Sequence, residues 1–216
     1  MPSRKTVYLV RHGQSDDNGQ PVFQTYDSPL SPQGRAQAAT LAERAQHLKF
    51  DALIASPQPR AQQTAAAIAA ATGQQLETSE LFIERRKPAS IEGKSWDDPT
   101  ARRTWQKWER SVITSGLNVE TGENFDDMVQ RADAALGFLQ SHDKDSLLVV
   151  SHGHFIRTLI ARILLGDSLN GELLKRFYEL TSLENTGITV LRFKDAYEEA
   201  FRWRLWTLND HAHFAE

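Results

Sequence analysis

The stretch Val7-Tyr8-Leu9-Val10-Arg11-His12-Gly13 decides the fold, together with its counterpart Leu147-Leu148-Val149-Val150-Ser151-His152-Gly153. Each is a short apolar run that ends in His-Gly. Apolar side chains at consecutive positions suit a strand covered on both faces, the setting of parallel strands in α/β proteins. The C-terminal ends of such strands lie along one edge of the sheet, and open α/β sheets bind ligands in the crevice outside that edge. Two imidazoles are thereby placed within reach of one pocket.

Outward from the first strand, at 6–11, strand and helix signals alternate. Leu30-Ser31-Pro32 supplies an N-cap serine with proline at the first helical position, and Leu41, Ala42, Ala45 and Leu48 recur at helical spacing. A helix is predicted over about 32–48. Leu53-Ile54-Ala55 reads as a second strand, and Ser56-Pro57 repeats the cap signal before Ala61, Ala65, Ile68 and Ala69, with Gly73 as the stop. From about 85 to 121 the pattern lapses into a polar stretch bearing Trp96, Trp105 and Trp108, read as a lid inserted over the sheet. The tryptophans are expected to pack this insertion against the core. Asn124 caps a helix whose Phe125, Met128, Ala132, Leu136 and Leu139 form one stripe leading to the strand at 147–151. Phe155, Ile156, Leu159, Ile160 and Ile163 mark the next helix, closed by Gly166. Two closing strands are predicted at 188–193 and 201–206, the latter with Phe201, Trp203 and Leu205 on one face. The expected architecture is an α/β three-layer sandwich: a mostly parallel central sheet with helices on both faces and an inserted lid, in a single domain spanning 1–216.

Composition excludes several function classes. The 216 residues carry a formal net charge of -3, which argues against a general nucleic-acid surface. There is no cysteine, so thiolate nucleophiles, disulfides and cysteine-bound metal clusters are ruled out. The basic start, Met1 to Lys5, is followed by an apolar run too short for a secretory segment, and no stretch approaches the ~20 apolar residues of a membrane span. A soluble, cytoplasmic protein is expected. No P-loop pattern and no G-x-S-x-G elbow occurs.

The chemistry starts where Arg11 and His12 leave the first strand and Gly13 permits a tight exit. Arg60 breaks a local rule. With Ser56 as N-cap it sits in or just beyond the first helical turn, where the helix dipole disfavours a cation unless an anion binds there. His152 also falls between a strand and a helix, where free backbone amides reinforce an anion site. Arginine offers planar paired donors for phosphate oxygens, and a neutral imidazole can attack phosphorus and carry the phosphoryl group. The set suits phosphoryl transfer without a metal. The competing metal reading uses His152-Gly153-His154 as a ligand pair, but no aspartate follows closely and no carboxylate adjoins His12 before Asp16 and Asp17. His154 is expected on a helix surface.

These residues carry a family resemblance: the chain resembles the histidine phosphatase superfamily, with its phosphoglycerate-mutase-like fold. Leu9 to Ser15 with Asn18 resembles the family's N-terminal signature, and Leu30 to Gly34 its first-helix entry. Ser56-Pro57 through Arg60 to Ala65 resembles the second arginine motif, Val149 to Gly153 the second histidine motif, and Asn185 to Ile188 a late turn into a strand. The resemblance implies His12 as a nucleophile that forms phosphohistidine, with Arg11, Arg60 and His152 holding the transferred oxygens. It also implies Gly13, Asn18 and Gly153 as phosphate-binding residues. A general acid must protonate the leaving oxygen, a task suited to a carboxylate of raised pKa. The family's glutamate lands on Glu84. The tract that follows, Arg85-Arg86-Lys87-Pro88 before Glu92-Gly93, departs from the family pattern and keeps Glu92 and Asp97 as alternatives. Arg85, Arg86, Lys87, Arg102 and Arg103 are expected as solvated charge. The implied activity is metal-independent hydrolysis of a small phosphorylated metabolite with no cofactor and no nucleic-acid or membrane partner. Mutase-type transfer between hydroxyls is the alternative, and a non-catalytic phosphate-binding relative a third reading.

Overall fold

The computed structural model describes residues 4–198 and 202–214. Six strands form one sheet in the order β3-β2-β4-β1-β5-β6. The strands are β1 (Arg4–Arg11), β2 (Ala52–Ala55), β3 (Leu76–Thr78), β4 (Ser146–Ser151), β5 (Ile188–Lys194) and β6 (Trp203–Asp210). β1, β4, β2 and β3 run parallel, whereas β5 and β6 close one side antiparallel. The helices are α1 (Pro32–Ala45), α2 (Pro59–Thr72), α3 (Pro99–Arg110), α4 (Phe125–Ser141), α5 (Gly153–Leu165) and α6 (Gly171–Leu180).

The continuous apolar runs serve two cores at once, because successive side chains of a strand point to opposite faces. Val7, Leu9, Leu147, Val149 and Ile54 pack against Met128, Ala132 and Leu139 of α4 and Phe155, Leu159 and Ile160 of α5. Val10, Leu148, Val150, Leu53 and Ala55 pack against Leu41 and Ala45 of α1 and Ala61, Ala65 and Ile68 of α2. The expected three-layer α/β sandwich is the observed architecture. None of the helices among the described residues is long and apolar enough to cross a membrane.

Local signals explain most element ends. Ser31 accepts the Gly34 amide ahead of α1, and Asn124 and Asp127 form a reciprocal capping box at α4. Gly73 stops α2 at φ 73°, a left-handed position where glycine pays no Cβ penalty. Three expectations need correction. α1 ends at Ala45 rather than 48, because His47 and Leu48 donate to carbonyls three residues back and tighten the chain. α2 starts at Pro59, with Gln58 at the N-cap position and no side-chain cap, not directly after Ser56, whose hydroxyl meets the Gln58 N–H and His152 Nε2. The last strand runs over Trp203–Asp210, two residues later than expected at its start and four at its end, its register set by pairing Trp203 with Phe193 and Asp210 with Ile188. Phe201 lies outside the described residues. β3 and α6 were not anticipated: β3 is a three-residue edge strand, and α6 fully buries only Leu174.

The inserted stretch holds a 3-10 turn (Ala89–Ile91) and α3. It rests on the loop after β1, where Phe23, Ile91 and Ala101 form a small apolar cluster. Of its tryptophans only Trp108 is buried; Trp96 is 52% and Trp105 38% exposed. The expectation that all three pack inward holds for one.

Candidate active site

The parallel strands deliver their last residues side by side. His12 N–H donates to the Ser151 carbonyl at 3.0 Å and Ser56 N–H to that of Val150 at 3.0 Å. The strand ends of β1, β4 and β2 thus place Arg11 and His12, His152, and Ser56 together. The rings of His12 and His152 lie 4.9 Å apart at 58°, and both are buried.

Hydrogen bonds fix what His12 presents. Its Nδ1 lies 2.6 Å from the Gly13 carbonyl, which can only accept, so Nδ1 carries the proton. Nε2 keeps its lone pair and accepts from Arg60 Nε at 3.2 Å. Burial, then the charges of Arg60 and Arg11, push the His12 pKa well below the usual imidazole range. The ring is neutral at physiological pH. Its loop is pinned by Gly13 N–H on Thr64 Oγ1 at 3.1 Å and by Asn185 Nδ2 on the His12 carbonyl at 2.9 Å. Only glycine fits at 13, since a Cβ there would stand 2.6 Å from the Gly34 carbonyl oxygen.

His152 is arranged the other way round. Its Nε2 lies 2.8 Å from Ser56 Oγ, while its Nδ1 is buried with no partner among the described residues. Burial first, then Arg60 and His12, lower its pKa well below the ordinary value. Arg11 donates one terminal nitrogen to the Leu183 carbonyl, and its Nε is buried without a partner. Arg60 is the second residue of α2, nearer the helix start than its expected cap implied. It donates to the carbonyls of Thr25 and Tyr26 at 3.4 and 3.1 Å. Burial pushes it down to about 10, which leaves it cationic. The unpartnered buried N–H of the Arg11 guanidinium is costly unless an anion meets it.

Glu84 follows a 3-10 turn (Glu80–Phe82), and its own N–H is held by Gln58 Oε1 at 2.8 Å. Its Oε1 accepts from Arg85 N–H at 2.9 Å and Phe155 N–H at 3.1 Å, and its Oε2 from His154 N–H at 3.2 Å. α5 begins at Gly153, and His152 at its N-cap position provides no side-chain cap. The Glu84 carboxylate caps that helix from outside. Burial works to raise its pKa, but the contact with His154 and the Arg85 amide outweigh it and hold it well below the carboxylate range. The raised pKa expected of Glu84 is therefore not found; the shift is in the opposite direction.

A cleft of about 270 Å³ is lined by Arg11, His12, Asn18, Glu84 and Gly153, together with Gln24, His154 and Arg157. Gly13, Arg60 and His152 join it through their contacts with His12. Asn18 Oδ1 accepts from Ser15 Oγ at 2.6 Å and Gln24 Nε2 at 3.0 Å, which leaves its amide nitrogen as a donor. Glu92 and Asp97 do not line this cleft; Glu92 faces the Tyr26 amide at 3.4 Å and Asp97 is exposed. His154 is exposed on α5 as expected, and its ring nitrogen also stands 3.7 Å from Glu84. Gln24, Gln58 and Arg157 were missed because a lone glutamine or helical arginine carries no spacing signal.

The basic tract after Glu84 departs from the solvated-charge expectation. Arg85 is buried, with Nη2 on the Trp108 carbonyl at 2.7 Å and on Ser111 Oγ at 3.0 Å, Nη1 on Glu109 at 3.2 Å, and its guanidinium 3.7 Å from the Trp108 ring centre. Lys87 Nζ donates to the Gln24 carbonyl at 2.5 Å, with its pKa lowered first by burial and then by Arg60. Arg86 pairs with buried Glu123 at 3.5 Å, whereas Arg102 and Arg103 are exposed as expected.

Two imidazoles, two guanidiniums and a carboxylate at the C-terminal edge of a parallel sheet define an α/β protein with an oxyanion site of the phosphotransfer kind. Residues 7–207 match the model of the histidine phosphatase superfamily (branch 1), and the chain belongs to that family. "Putative phosphoserine phosphatase 2" of Hydrogenobacter thermophilus is 30% identical over 193 residues, covering 88% of this chain and 90% of the relative. "Probable phosphoglycerate mutase GpmB" of an Enterobacter species is 34% identical over 166 residues, covering 73% and 74%. Among solved structures, a phosphoserine phosphatase variant from Entamoeba histolytica in complex with phosphoserine superposes with a TM-score of 0.74 at 24% identity, covering 97% and 99% of the two chains.

Proposed function

We propose that this protein is a metal-independent phosphatase that acts on a small phosphorylated metabolite through a phosphohistidine. The observation that carries the reading is the proton placement on His12: with Nδ1 committed to the Gly13 carbonyl, a neutral Nε2 lone pair is left for phosphorus. Nε2 bonds to phosphorus as the bond to the leaving oxygen breaks, and Glu84 gives that oxygen its proton. Water then attacks phosphorus, loses a proton to Glu84, and frees Nε2. Arg11, Arg60 and the open Nδ1 of His152 face the three spreading oxygen charges. The neighbours of Glu84 hold its pKa below the carboxylate range; the charge of a bound phosphate dianion raises its proton affinity, so the acid is made by substrate binding.

The names of the relatives divide between hydrolysis and mutase chemistry, and both share the phosphohistidine step. The acceptor of the second step, water or a hydroxyl, separates them. Steady hydrolysis of an aryl phosphate in the presence of a chelator supports the reading, and complete loss of activity with chelator overturns it. Interconversion of 2- and 3-phosphoglycerate faster than release of inorganic phosphate transfers the assignment to the mutase.

A further inference from the structure

The phosphohistidine reading above, on which this inference rests, needs Glu84 to carry a proton when the leaving oxygen departs. The neighbours of Glu84 hold its pKa well below the carboxylate range, so that proton has to be delivered as the phosphate binds. Neither ring at the strand ends supplies it. His12 keeps its Nδ1 proton on the Gly13 carbonyl, and burial pushes the pKa values of both His12 and His152 below the imidazole range. Guanidiniums do not give up protons near neutrality.

His154 is placed to do so. Oε1 of Glu84 accepts two N–H groups, from Arg85 and Phe155, and Oε2 accepts one, from the His154 backbone. A carboxylate offers about four lone-pair sites, which leaves one on Oε2. That oxygen stands 3.7 Å from His154 Nδ1, and among the described residues no other basic side chain lies within ion-pair distance of Glu84. Contacts of this kind tighten in the substrate complex. The ring also reaches water: its side chain is 47% exposed against 16% for Glu84, on the wall shared by the cleft at His12 and a second cleft of about 340 Å³. Its plane is set by the Tyr178 ring, 5.2 Å away and edge-on at 88°, whose hydroxyl is held by Thr158 at 2.6 Å. Arg157 of α5, Glu109 and Arg110 of α3, and Lys175 and Glu179 of α6 share the second cleft with it, and Arg11 and His12 the first. Glu109 is matched by Arg85 at 3.2 Å and Glu179 by Lys175 at 3.8 Å. Glu84 is thus the carboxylate left to take the ring's proton. Imidazole is the side chain whose charge changes near neutrality, so a ring with one edge at a carboxylate and a face in water passes protons between them.

We propose that His154 supplies the proton of Glu84: as the phosphate dianion binds, the imidazolium gives its Nδ1 proton to Glu84 Oε2, and after the phosphohistidine is hydrolysed it takes a proton back. The count closes. Glu84 passes the delivered proton to the leaving oxygen as the bond from that oxygen to phosphorus breaks. The water that then attacks phosphorus leaves one proton on Glu84, which returns to Nδ1 and restores the imidazolium. His154 acts through Glu84 rather than on the substrate.

The test is the pH dependence of kcat for propyl phosphate, whose leaving group needs a proton, beside 4-nitrophenyl phosphate, whose leaving group does not. In the wild type, kcat for propyl phosphate falls as pH rises from about 6 to about 9, because the imidazolium is lost. Titration of His12 and His152 lies below this window and that of Arg60, at about 10, above it. His154→Gln lowers kcat for propyl phosphate about tenfold at about pH 6, flattens its profile, and changes that for 4-nitrophenyl phosphate less than about twofold. Added imidazole raises the propyl phosphate rate of His154→Ala at least about threefold, which a side chain that only braced Glu84 would not allow. The side chain is exposed and both variants keep the backbone amide on Glu84, so the fold is retained. An alkaline fall that persists in His154→Gln, or equal losses on the two substrates, overturns the proposal. A wild type that hydrolyses both esters with no alkaline fall overturns it as well and leaves the phosphatase reading standing. Hydrolysis of neither ester overturns that reading, and the proposal with it.

Discussion

At the end of β1, His12 commits its Nδ1 proton to Gly13 and turns the Nε2 lone pair toward Arg60. At the end of β4, His152 engages Ser56 through Nε2 and keeps an unpartnered Nδ1. The same His-Gly step after the same kind of strand therefore presents opposite ring atoms. The difference comes from the neighbours: a carbonyl one residue on holds the first ring, a hydroxyl from β2's end the second. A motif sets where an imidazole stands, while the partner behind it sets which nitrogen is left for a ligand.

The sharpest way to break this comparison is to remove each ring in turn. His12→Ala abolishes labelling by a phosphoryl donor and lowers kcat by at least about 10³-fold, as expected for loss of a nucleophile. His152→Ala still accepts the label but turns over about 10²–10³-fold more slowly, as expected for loss of one charge-stabilising donor. Equal labelling loss in both variants, measured by acid-quenched incorporation, would show that the two rings are not divided in this way.

A smaller effect separates the rings from the acid opposite them. Glu84→Gln slows hydrolysis of an alkyl phosphate about 10²-fold or more and that of 4-nitrophenyl phosphate far less, because a good leaving group needs no proton. Parallel losses on both substrates would assign Glu84 only to capping α5.

The smallest effect is on stability. His12 and His152 have folded pKa values below the unfolded value of about 6.5, so below that pH the unfolded chain binds more protons and stability falls as pH is lowered. Glu84, also depressed, contributes stability that is present above about 4.5 and lost as pH falls further. The unfolding temperature should thus decline from pH 7 toward 5, and His152→Asn should flatten that decline. A wild-type curve flat between pH 7 and 5 would contradict neutral burial of the rings.

Much of this was legible because it is local. The apolar runs at Val7 and Leu147, the Ser31 and Asn124 caps and the Gly73 stop each act within a few residues, so their sequence is their structure. The position of Arg60 was legible for the same reason, through its conflict with the helix dipole. The rest depends on partners far along the chain. Arg85 reads as solvated charge until Trp108, Glu109 and Ser111 close around it. Glu84 reads as a raised-pKa acid until the bare start of α5 is seen to need a cap. α6 shows too narrow an apolar stripe, and β3 is too short, for periodicity to announce either.

The sheet order has a consequence for synthesis. β1 is the earliest strand made, but its two hydrogen-bonded neighbours, β4 and β5, begin at residues 146 and 188. Until those residues emerge, Val7 to Val10 is an apolar segment with both edges open, the kind of surface that pairs with other nascent chains. The juxtaposition of His12 and His152 is correspondingly a product of late, long-range closure. A chain shortened before β5 would lack a neighbour for the strand that carries His12, the proposed nucleophile, so turnover doubles as a report that the whole sheet has assembled.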